Sequence, residues 1–384
     1  IRDSRYPSVT SWAKQEFLEA SLTAMLVVLA RRWRASKKQM HRDAARHSFL
    51  RTYRRAADAI VPLVLMGGLL LSSHDKMNEA FVLSNSLSRR HRWAEILELG
   101  RDLPVGQSNI YVNHDINRAL YHGGRLPYDM FEFPQVPQAL LLTDANSESD
   151  LAQAKLCDLL CELGQVNLAE RFAAELLSVR GPFGAVLERL AWISIVKGQD
   201  GAAQVYLKAL KANLVYRNHA HSLLEGLDRG FAPGRESYIR RIQSYLPDDD
   251  DTVTAEHSAE GILAALLERN PRNRMAFEYL MAAYLLTGQV DKVVANTERL
   301  SDLGYRAIPT LYEEAILVYH GLHNRNLDVT KFNVRSETIQ RYVRFVQIRN
   351  SMQAHNRTVV LNRLVREFGS SYFFYFTFGR VGQS

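Results

Sequence analysis

The sequence predicts an all-α protein: an alpha-solenoid of antiparallel helix pairs, preceded by one or two transmembrane helices and ending in a short, aromatic, strand-like segment. Three observations predict this fold class. Two apolar runs near the N-terminus flank a basic segment, a Gly-Gln phrase recurs between residues 151 and 300, and an aromatic run lies near the C-terminus. The first of these assigns residues 1–75 to a membrane hairpin.

The positive charge of the chain is concentrated in one segment. The formal net charge is +7; the segment Arg31–Arg55 contains ten basic residues and one acid, whereas the remaining residues carry 38 basic and 40 acidic groups. A nucleic-acid-binding domain usually carries its basic residues on one face of its fold. Because the rest of the chain is close to neutral, we expect no nucleic-acid partner.

The two apolar runs, Phe17–Ala30 and Ala56–Ser73, indicate membrane helices. Both are shorter than the ~20 apolar residues that span a bilayer comfortably, although the second approaches the lower limit of about 17. Pro62 and the pair Gly67-Gly68 disfavour a soluble helix but are tolerated in a membrane helix. We therefore predict a membrane hairpin, and the alternative is a pair of buried soluble helices.

A membrane hairpin also sets the orientation of the chain. Basic residues in a short loop between apolar segments are typical of the cytoplasmic side, so residues 31–55 would form a cytoplasmic loop. The residues after Ser73 would then lie outside the cytoplasm. The expected location is a bacterial inner membrane, with the C-terminal domain periplasmic or extracellular. The first residue is Ile1 rather than Met, which indicates a fragment or a processed product.

The segments on either side of the clean repeats are less regular. Residues 76–145 are predicted to hold degenerate helical repeats and a Pro-rich linker, because three prolines between residues 127 and 137 exclude a long helix. Residues 306–384 contain further helices and the aromatic run Tyr372–Phe378. The β-propensity of this run predicts a strand-like segment that covers the open end of the solenoid.

The clean repeats occupy residues 146–305. A Gly-Gln phrase recurs there with its glycines at Gly164, Gly198 and Gly288, and the first two lie 34 residues apart. Each phrase separates two segments with helical apolar periodicity. A period of this length with a turn between two helices is typical of a helix-turn-helix solenoid.

These units resemble tetratricopeptide repeats. In that family a small residue follows the inter-helix glycine by five positions, and an aromatic or bulky residue follows three to four positions later. The matching residues are Gly164, Ala169 and Phe172 in one unit, and Gly198, Ala203 and Tyr206 in the next. The third unit departs from the pattern at Val293 and Asn296. The resemblance implies a fold and not a function.

A second resemblance spans nearly the whole chain. The basic loop is followed by the Arg90-His91-Arg92-Trp93 helix, a unit at Asn117–Leu126, the Gly-Gln repeats and an aromatic run at Ser370–Gly379. This order is similar to that of an uncharacterised family of bacterial integral-membrane proteins with several N-terminal transmembrane helices and a C-terminal helical-repeat domain. The resemblance implies a topology, and that family has no assigned activity.

No residue pattern in the sequence indicates catalysis or a metal. Cys157 and Cys161 share one helix face, but no His or Cys pair with suitable spacing lies nearby to complete a zinc site. The residues His114-Asp115 and His122 are accompanied by no nucleophile motif or phosphate-binding loop. We therefore predict no catalytic residue, no metal ligand and no cofactor, and interpret the cysteines as small core residues.

The remaining candidate site is a groove for a partner. In a solenoid, the first helix of each unit lines a concave surface that can hold a peptide or a partner helix. Projection of the repeat onto this sequence places four residues toward that surface: Asp158, Glu188, Trp192 and Glu278. Trp192 is interpreted either as an aromatic anchor for the partner or as a core residue.

These observations favour a membrane-anchored helical-repeat scaffold that mediates protein–protein interaction outside the cytoplasm. Its expected partners are the lipid bilayer and a protein or peptide, and no reaction is assigned to this chain. Two alternatives stay open. One is the accessory domain of a membrane enzyme whose active site lies in further N-terminal membrane helices. The other is a soluble protein that binds polyanions through residues 31–55, with a steep loss of binding on adding salt.

Overall fold

The described residues all belong to one of the two units into which the chain divides, Asp75–Ser384. A computed structural model describes residues 76–103, 109–142, 149–246, 258–322, 329–353 and 356–379. The predicted membrane hairpin of residues 1–75, with its basic loop, lies outside the described residues.

The described unit is built from α-helices and short 3₁₀ turns, and its described residues include no strand. The first nine helices are α1 (Lys76–Arg89), α2 (Trp93–Arg101), α3 (Ile110–His122), α4 (Leu126–Asp129), α5 (Asp150–Glu162), α6 (Val166–Arg180), α7 (Gly184–Val196), α8 (Asp200–Lys211) and α9 (Arg217–Arg229). The other eight are α10 (Pro233–Gln243), α11 (Ala259–Arg269), α12 (Arg274–Thr287), α13 (Val290–Asn296), α14 (Thr310–Leu322), α15 (Ser336–Asn350), α16 (Arg357–Phe368) and α17 (Tyr372–Phe378).

Polar side chains cap the starts of several helices. Ser149 Oγ accepts a hydrogen bond from the backbone N–H of Ala152 at 3.1 Å, at the start of α5. Asn273 Oδ1 accepts one from the N–H of Ala276 at 3.0 Å, at the start of α12. The first backbone N–H groups of a helix lack partners within it, and such caps satisfy them. The local sequence therefore determines where these helices begin.

The glycines of the Gly-Gln phrase lie in the turns between α5 and α6, α7 and α8, and α12 and α13. Gly164, Gly198 and Gly288 have φ angles of 87°, 69° and 71°, a left-handed region that glycine adopts without a steric penalty. At Gly164 a β-carbon would also lie 2.6 Å from the backbone oxygen of Tyr245. The phrase therefore marks helix ends because its glycine allows the chain to turn.

Helices that follow one another in the chain pack together from α5 to α9. Contacts join α5 to α6, α6 to α7, α7 to α8 and α8 to α9. Ala169 on α6 and Ala203 on α8, the small residues that follow the turn glycines, are fully buried. A small side chain lets neighbouring helices approach closely. Helices α5 to α9 therefore form an all-helical, repeat-like array with its apolar core between successive helices.

Helix α3 lies at the centre of the described unit. Every residue from Val112 to Tyr121 is buried, and Tyr121 contacts Tyr279 of α12 with ring centroids 6.1 Å apart. A helix that is buried on all sides is usually apolar all round, whereas α3 carries polar and charged side chains, including Asp115 and Arg118. These groups need partners from neighbouring helices, which ties α3 to them.

The prediction of a strand-like segment near the C-terminus is wrong, because Tyr372–Phe378 forms helix α17. Ser371 caps its first turn, and the Tyr372 N–H donates to the buried carboxylate of Glu314 at 2.6 Å. Tyr372 and Phe373 are fully buried. A helix pairs its backbone groups internally, which suits a segment whose aromatic side chains are buried on several sides. This tertiary environment outweighs the β-propensity of the run.

The transmembrane helices of the predicted fold class are also corrected. Within the part of the chain that the structure describes, no helix is both long and apolar enough to cross a membrane. The longest described helices, α6 and α15, have 15 residues. At about 1.5 Å per residue they reach only about 22 Å of the ~30 Å of bilayer hydrocarbon. The runs Phe17–Ala30 and Ala56–Ser73, on which the prediction rested, lie outside the described residues.

Candidate functional site

A cleft of about 910 Å³ lies among helices from separate parts of the described unit. Its lining comes from the end of α1 and the turn after it, from α3, α5 and α7, and from the segment that includes α9 and α10. Known ligand pockets have volumes of about 300–1,000 Å³. The cleft is therefore large enough for a small molecule or part of a peptide.

The floor of the cleft is a buried ion pair between Arg118 of α3 and Glu162 of α5. Arg118 donates from Nη2 to Glu162 Oε1 at 2.9 Å and from Nε to Oε2 at 3.2 Å, and both side chains are only 4% exposed. Arg118 also donates to Ser88 Oγ of α1 at 2.9 Å. A two-pronged contact of this kind fixes the orientation of both groups.

Two further groups surround the Glu162 carboxylate. Tyr238 donates its hydroxyl to Glu162 Oε1 at 2.7 Å, and His122 Nε2 lies 3.2 Å from the same oxygen. Burial by itself would raise the pKa of Glu162, but the neighbouring Arg118 guanidinium and the His122 ring hold it well below its usual range. Glu162 is therefore an ionised anchor for the groups around it.

Helical spacing explains why these groups meet. Arg118 and His122 are four residues apart on α3, and Asp158 and Glu162 are four residues apart on α5. Residues at this spacing lie on one face of a helix. The charged face of α3 thus meets the charged face of α5.

The wall between α5 and α7 contains a second ion pair. Arg189 donates to the two carboxylate oxygens of Asp158 at 2.7 and 2.9 Å, and its Nε also donates to the backbone oxygen of Ala154 at 3.2 Å. The Arg189 side chain is 9% exposed. Burial lowers its pKa, yet the charge of Asp158 and the hydrogen bonds to it give a net rise. The ion pair joins α7 to α5.

The mouth of the cleft is formed where α1, α7 and the start of α9 meet. Arg89 forms an ion pair with Glu188 and donates to the Tyr216 hydroxyl at 2.7 Å. Glu188 also lies 3.3 Å from Nε2 of His219. Gly184 allows this arrangement, because a β-carbon there would lie 2.5 Å from the Tyr216 ring. The groups at the mouth are about one fifth to two fifths exposed and can meet a ligand.

Aromatic rings line the cleft beside the charged groups. The rings of Trp192 and Tyr238 have centroids 5.8 Å apart, and the His91 ring lies 5.1 Å from that of Tyr238 in an edge-to-face arrangement. His91 has a φ angle of 55°, an uncommon conformation that sets its ring between Tyr238 and Trp93. The cleft therefore presents aromatic surface and paired charges together.

One family model describes nearly the whole chain. It matches residues 5–379, and its description is a family of unknown function, DUF6057. The chain belongs to this family. The prediction of an uncharacterised family is thereby confirmed. No curated protein and no solved structure matches the chain.

Three of the four predicted groove residues of this DUF6057 member line the cleft: Asp158, Glu188 and Trp192. Glu278 lies elsewhere, on α12. Its carboxylate accepts hydrogen bonds from Arg274 Nε at 2.8 Å and from the Tyr305 hydroxyl at 2.5 Å, and its side chain is 1% exposed. The structure therefore brings together the residues of α5 and α7 and separates them from that of α12.

The cysteines lie in the cleft lining as buried thiols. Cys157 and Cys161 are both free, and Cys157 Sγ donates to the backbone oxygen of Ala169 at 3.1 Å. Burial raises the pKa of Cys157 to about 12, so its thiol stays protonated at neutral pH and is a poor nucleophile. Among the described residues of this family member, no group of three or more His, Cys, Asp or Glu side chains is placed to hold a metal ion.

Sequence reasoning missed the floor of the cleft. Arg118 and Tyr238 lie 44 and 76 positions from Glu162, and no local pattern connects them. One signal was present, since Asp158 and Glu162 share a helix face and only Asp158 was assigned to the groove. A charged residue one turn further along the same face was a candidate for the same surface.

Proposed function

We propose that the described helices of this DUF6057 member form a binding scaffold whose cleft holds a peptide segment of a partner protein. The observation that carries the proposal is the cleft itself, about 910 Å³ in volume and lined by Trp192, Tyr238 and several arginines. Tryptophan, tyrosine and arginine are the residue types that contribute most binding energy at protein interfaces.

The ion pairs support binding because they give the cleft a fixed shape before a ligand arrives. Arg118 with Glu162, Arg189 with Asp158 and Arg89 with Glu188 each join two helices. A site whose groups are already ordered loses less conformational entropy on binding. The cleft therefore needs little rearrangement to accept a peptide.

The chemistry of the cleft favours binding over catalysis. A general acid or base works best when its pKa lies near the working pH. The pKa of Glu162 is held well below its usual range, and burial raises that of Cys157 to about 12. We therefore assign no reaction and no cofactor to this cleft.

We also propose that the helix pairs α5–α6 and α7–α8 are tetratricopeptide-like units. Their turn glycines, Gly164 and Gly198, have positive φ angles, and the small residues five positions later, Ala169 and Ala203, are fully buried between neighbouring helices. These are the roles that the tetratricopeptide pattern gives to such positions. The similarity supports the scaffold function, because stacked units of this kind present an extended binding surface.

The proposal is tested by selecting peptides from a random phage-displayed library on the full chain and measuring their affinities by fluorescence polarisation. Val215 lines the cleft and is 86% exposed, so Val215→Trp would occupy the cleft without disturbing the core. We expect this variant to weaken the selected peptides by about tenfold or more, on the order of 1.4 kcal/mol.

Val179 offers a matched control, because it is a valine on α6 that is 74% exposed and lies outside the cleft lining. Val179→Trp should leave the affinities unchanged. The proposal fails if the library gives no binder, or if both tryptophan variants bind the selected peptides as tightly as the unaltered chain.

A further inference from the structure

The cleft contains more positive than negative groups. Five arginines line it, Arg89, Arg90, Arg118, Arg189 and Arg235, against three carboxylates, Asp158, Glu162 and Glu188. Three of the arginines are used in the ion pairs of the floor, wall and mouth. Arg90 and Arg235 have no ion-pair partner among the described residues, which leaves two guanidinium groups for a ligand.

Arg90 and Arg235 come from two different parts of the cleft lining. Arg90 is exposed in the turn between α1 and α2, directly after Arg89, which forms the mouth. Arg235 is partly exposed in the first turn of α10, three residues before Tyr238 of the aromatic wall. Both guanidinium groups are therefore in reach of solvent and of a ligand that contacts the mouth or the wall.

The charge of Arg235 also acts within the cleft, because it reaches His219 together with the charges of Arg89 and Glu188. Burial lowers the pKa of His219, and the positive charges of Arg235 and Arg89 lower it further against the opposing effect of Glu188. The cleft also includes Gly234 at the start of α10. The first turn of a helix carries the positive end of the helix dipole, and it adds to the charge of Arg235.

We propose that the peptide bound by the cleft is acidic, with an Asp or Glu carboxylate paired to Arg90 or Arg235 and a neighbouring apolar side chain against Trp192 and Tyr238. This inference rests on the proposed peptide-binding function. An arginine guanidinium forms two parallel hydrogen bonds with a carboxylate, and the adjacent aromatic rings supply the apolar contact. Charge complementarity thus defines the kind of partner that the scaffold accepts.

The same cleft disfavours a polyanion such as nucleic acid. Asp158, Glu162 and Glu188 each form an ion pair with one of the arginines, which leaves too few guanidinium groups to follow a continuous phosphate backbone. The two arginines without an ion pair in the described part of the chain match one or two carboxylates on a short segment. The charge pattern therefore selects an isolated acidic side chain beside an apolar one.

The inference is tested on the peptides selected with the full chain. We expect them to be enriched in Asp or Glu next to an aromatic or aliphatic residue. Replacement of the acidic residues by Asn or Gln should weaken binding by about tenfold or more, because the charge-assisted hydrogen bonds to the arginine are lost. The affinity of the acidic peptides should also fall as salt is added.

The charge of the cleft is reversed in the double variant Arg90→Glu/Arg235→Glu. Both side chains reach the surface, and surface substitutions usually change the free energy of unfolding by less than about 0.5 kcal/mol. Binding of the acidic peptides should be lost, and peptides with Lys in place of the acids should now bind more tightly than the acidic ones. The control Arg272→Glu alters an exposed arginine outside the cleft lining and should change neither affinity.

Each outcome decides between the two claims. The acidic-peptide inference is overturned if selected peptides lack acidic residues, if their amide versions bind as tightly, or if the double variant keeps the original preference. In those cases the peptide-binding proposal still stands. A single-stranded oligonucleotide serves as the polyanion competitor. If it binds more tightly than the acidic peptides and displaces them, the inference is overturned in favour of a polyanion ligand. A library that gives no binder overturns both claims.

Discussion

Lys155 of α5 places its Nζ 2.6 and 2.8 Å from the two carboxylate oxygens of Asp115 on α3. The exposed fractions of the Lys155 and Asp115 side chains are 2% and 0%, so both charged groups are buried. Burial by itself would raise the pKa of Asp115, but the Lys155 ammonium holds it below its ordinary value. The pair ties the central helix α3 to the helix that carries Asp158 and Glu162.

Removing the charge of Lys155 alone should destabilise the fold far more than removing the charges of Lys155 and Asp115 together. Lys155→Met leaves the Asp115 carboxylate buried without its counter-charge, and we expect a loss of about 3–5 kcal/mol in the free energy of unfolding. The double variant Lys155→Met/Asp115→Leu removes both charges and should recover a large part of that loss. Urea unfolding of the two variants and the unaltered chain measures the difference. Equal stability of the two variants would show that the pair does not behave as a buried ion pair.

The carboxyl of Glu314 should make stability depend on pH. Burial raises the pKa of Glu314 to about 7 from an ordinary value of 4.5, in spite of the hydrogen bond from the Tyr372 N–H. Because its pKa is higher in the folded state, its contribution is complete below pH 4.5 and is lost as pH rises through about 7. The loss corresponds to about 3 kcal/mol.

Glu314→Gln isolates this contribution, because glutamine resembles the protonated carboxyl and does not titrate. The free energy of unfolding of the unaltered chain, minus that of the variant, should fall between pH 4.5 and 7 and be constant above. Denaturant unfolding across this range measures it. A difference that stays constant, or rises with pH, contradicts the buried position of Glu314.

Alanine substitutions at two turn glycines, Gly164 and Gly198, should both strain the backbone, but only the one at Gly164 should also cause a steric clash. Gly164 and Gly198 both have positive φ angles, so alanine at either should cost about 1–2 kcal/mol of stability. At Gly164 the new β-carbon would also meet the backbone of Tyr245, whereas at Gly198 it would meet nothing within 4 Å. Gly164→Ala should therefore cost a further ~1–3 kcal/mol. If thermal unfolding shows Gly198→Ala to be the more destabilising change, the close packing of the turn after α5 against Tyr245 is contradicted.

The C-terminal helix α17 should be a structural part of the core. The fully buried Phe373 ring lies 4.8 Å from that of Phe345 on α15 and 5.8 Å from that of Phe368 on α16. Phe373→Ala should reduce the free energy of unfolding by about 3–5 kcal/mol. Phe374, the next residue, is only partly buried, and Phe374→Ala is the matched control with a smaller expected loss. Equal losses in chemical denaturation would indicate that α17 is not inserted as described.

Much of the secondary structure was predictable because its causes are local. Gly164, Gly198 and Gly288 mark turns through a backbone conformation that glycine favours, and Ser149 marks a helix start through its own hydroxyl. The run Tyr372–Phe378 was predicted wrongly because its residue types favour strands, while the buried surroundings of α17 decide its conformation.

The candidate site was predictable only in part. Asp158, Glu188 and Trp192 lie on two helices, α5 and α7, that are close in the chain and contact each other. The prediction of Glu278 as a groove residue came from projecting the repeat onto the third Gly-Gln unit, which begins with α12. The Glu278 carboxylate instead accepts hydrogen bonds from Arg274 and Tyr305.

The sequence by itself determined the helical class and the positions of the Gly-Gln turns, because short-range periodicity and glycine carry this information. It also determined the family, through a likeness that spans residues 5–379. Only the tertiary structure decided the cleft. Arg118, Glu162 and Tyr238 come from α3, α5 and α10 and meet through the way these helices stack. The angle and offset of stacking depend on side-chain packing across the whole unit, and no periodic pattern within a single helix specifies them.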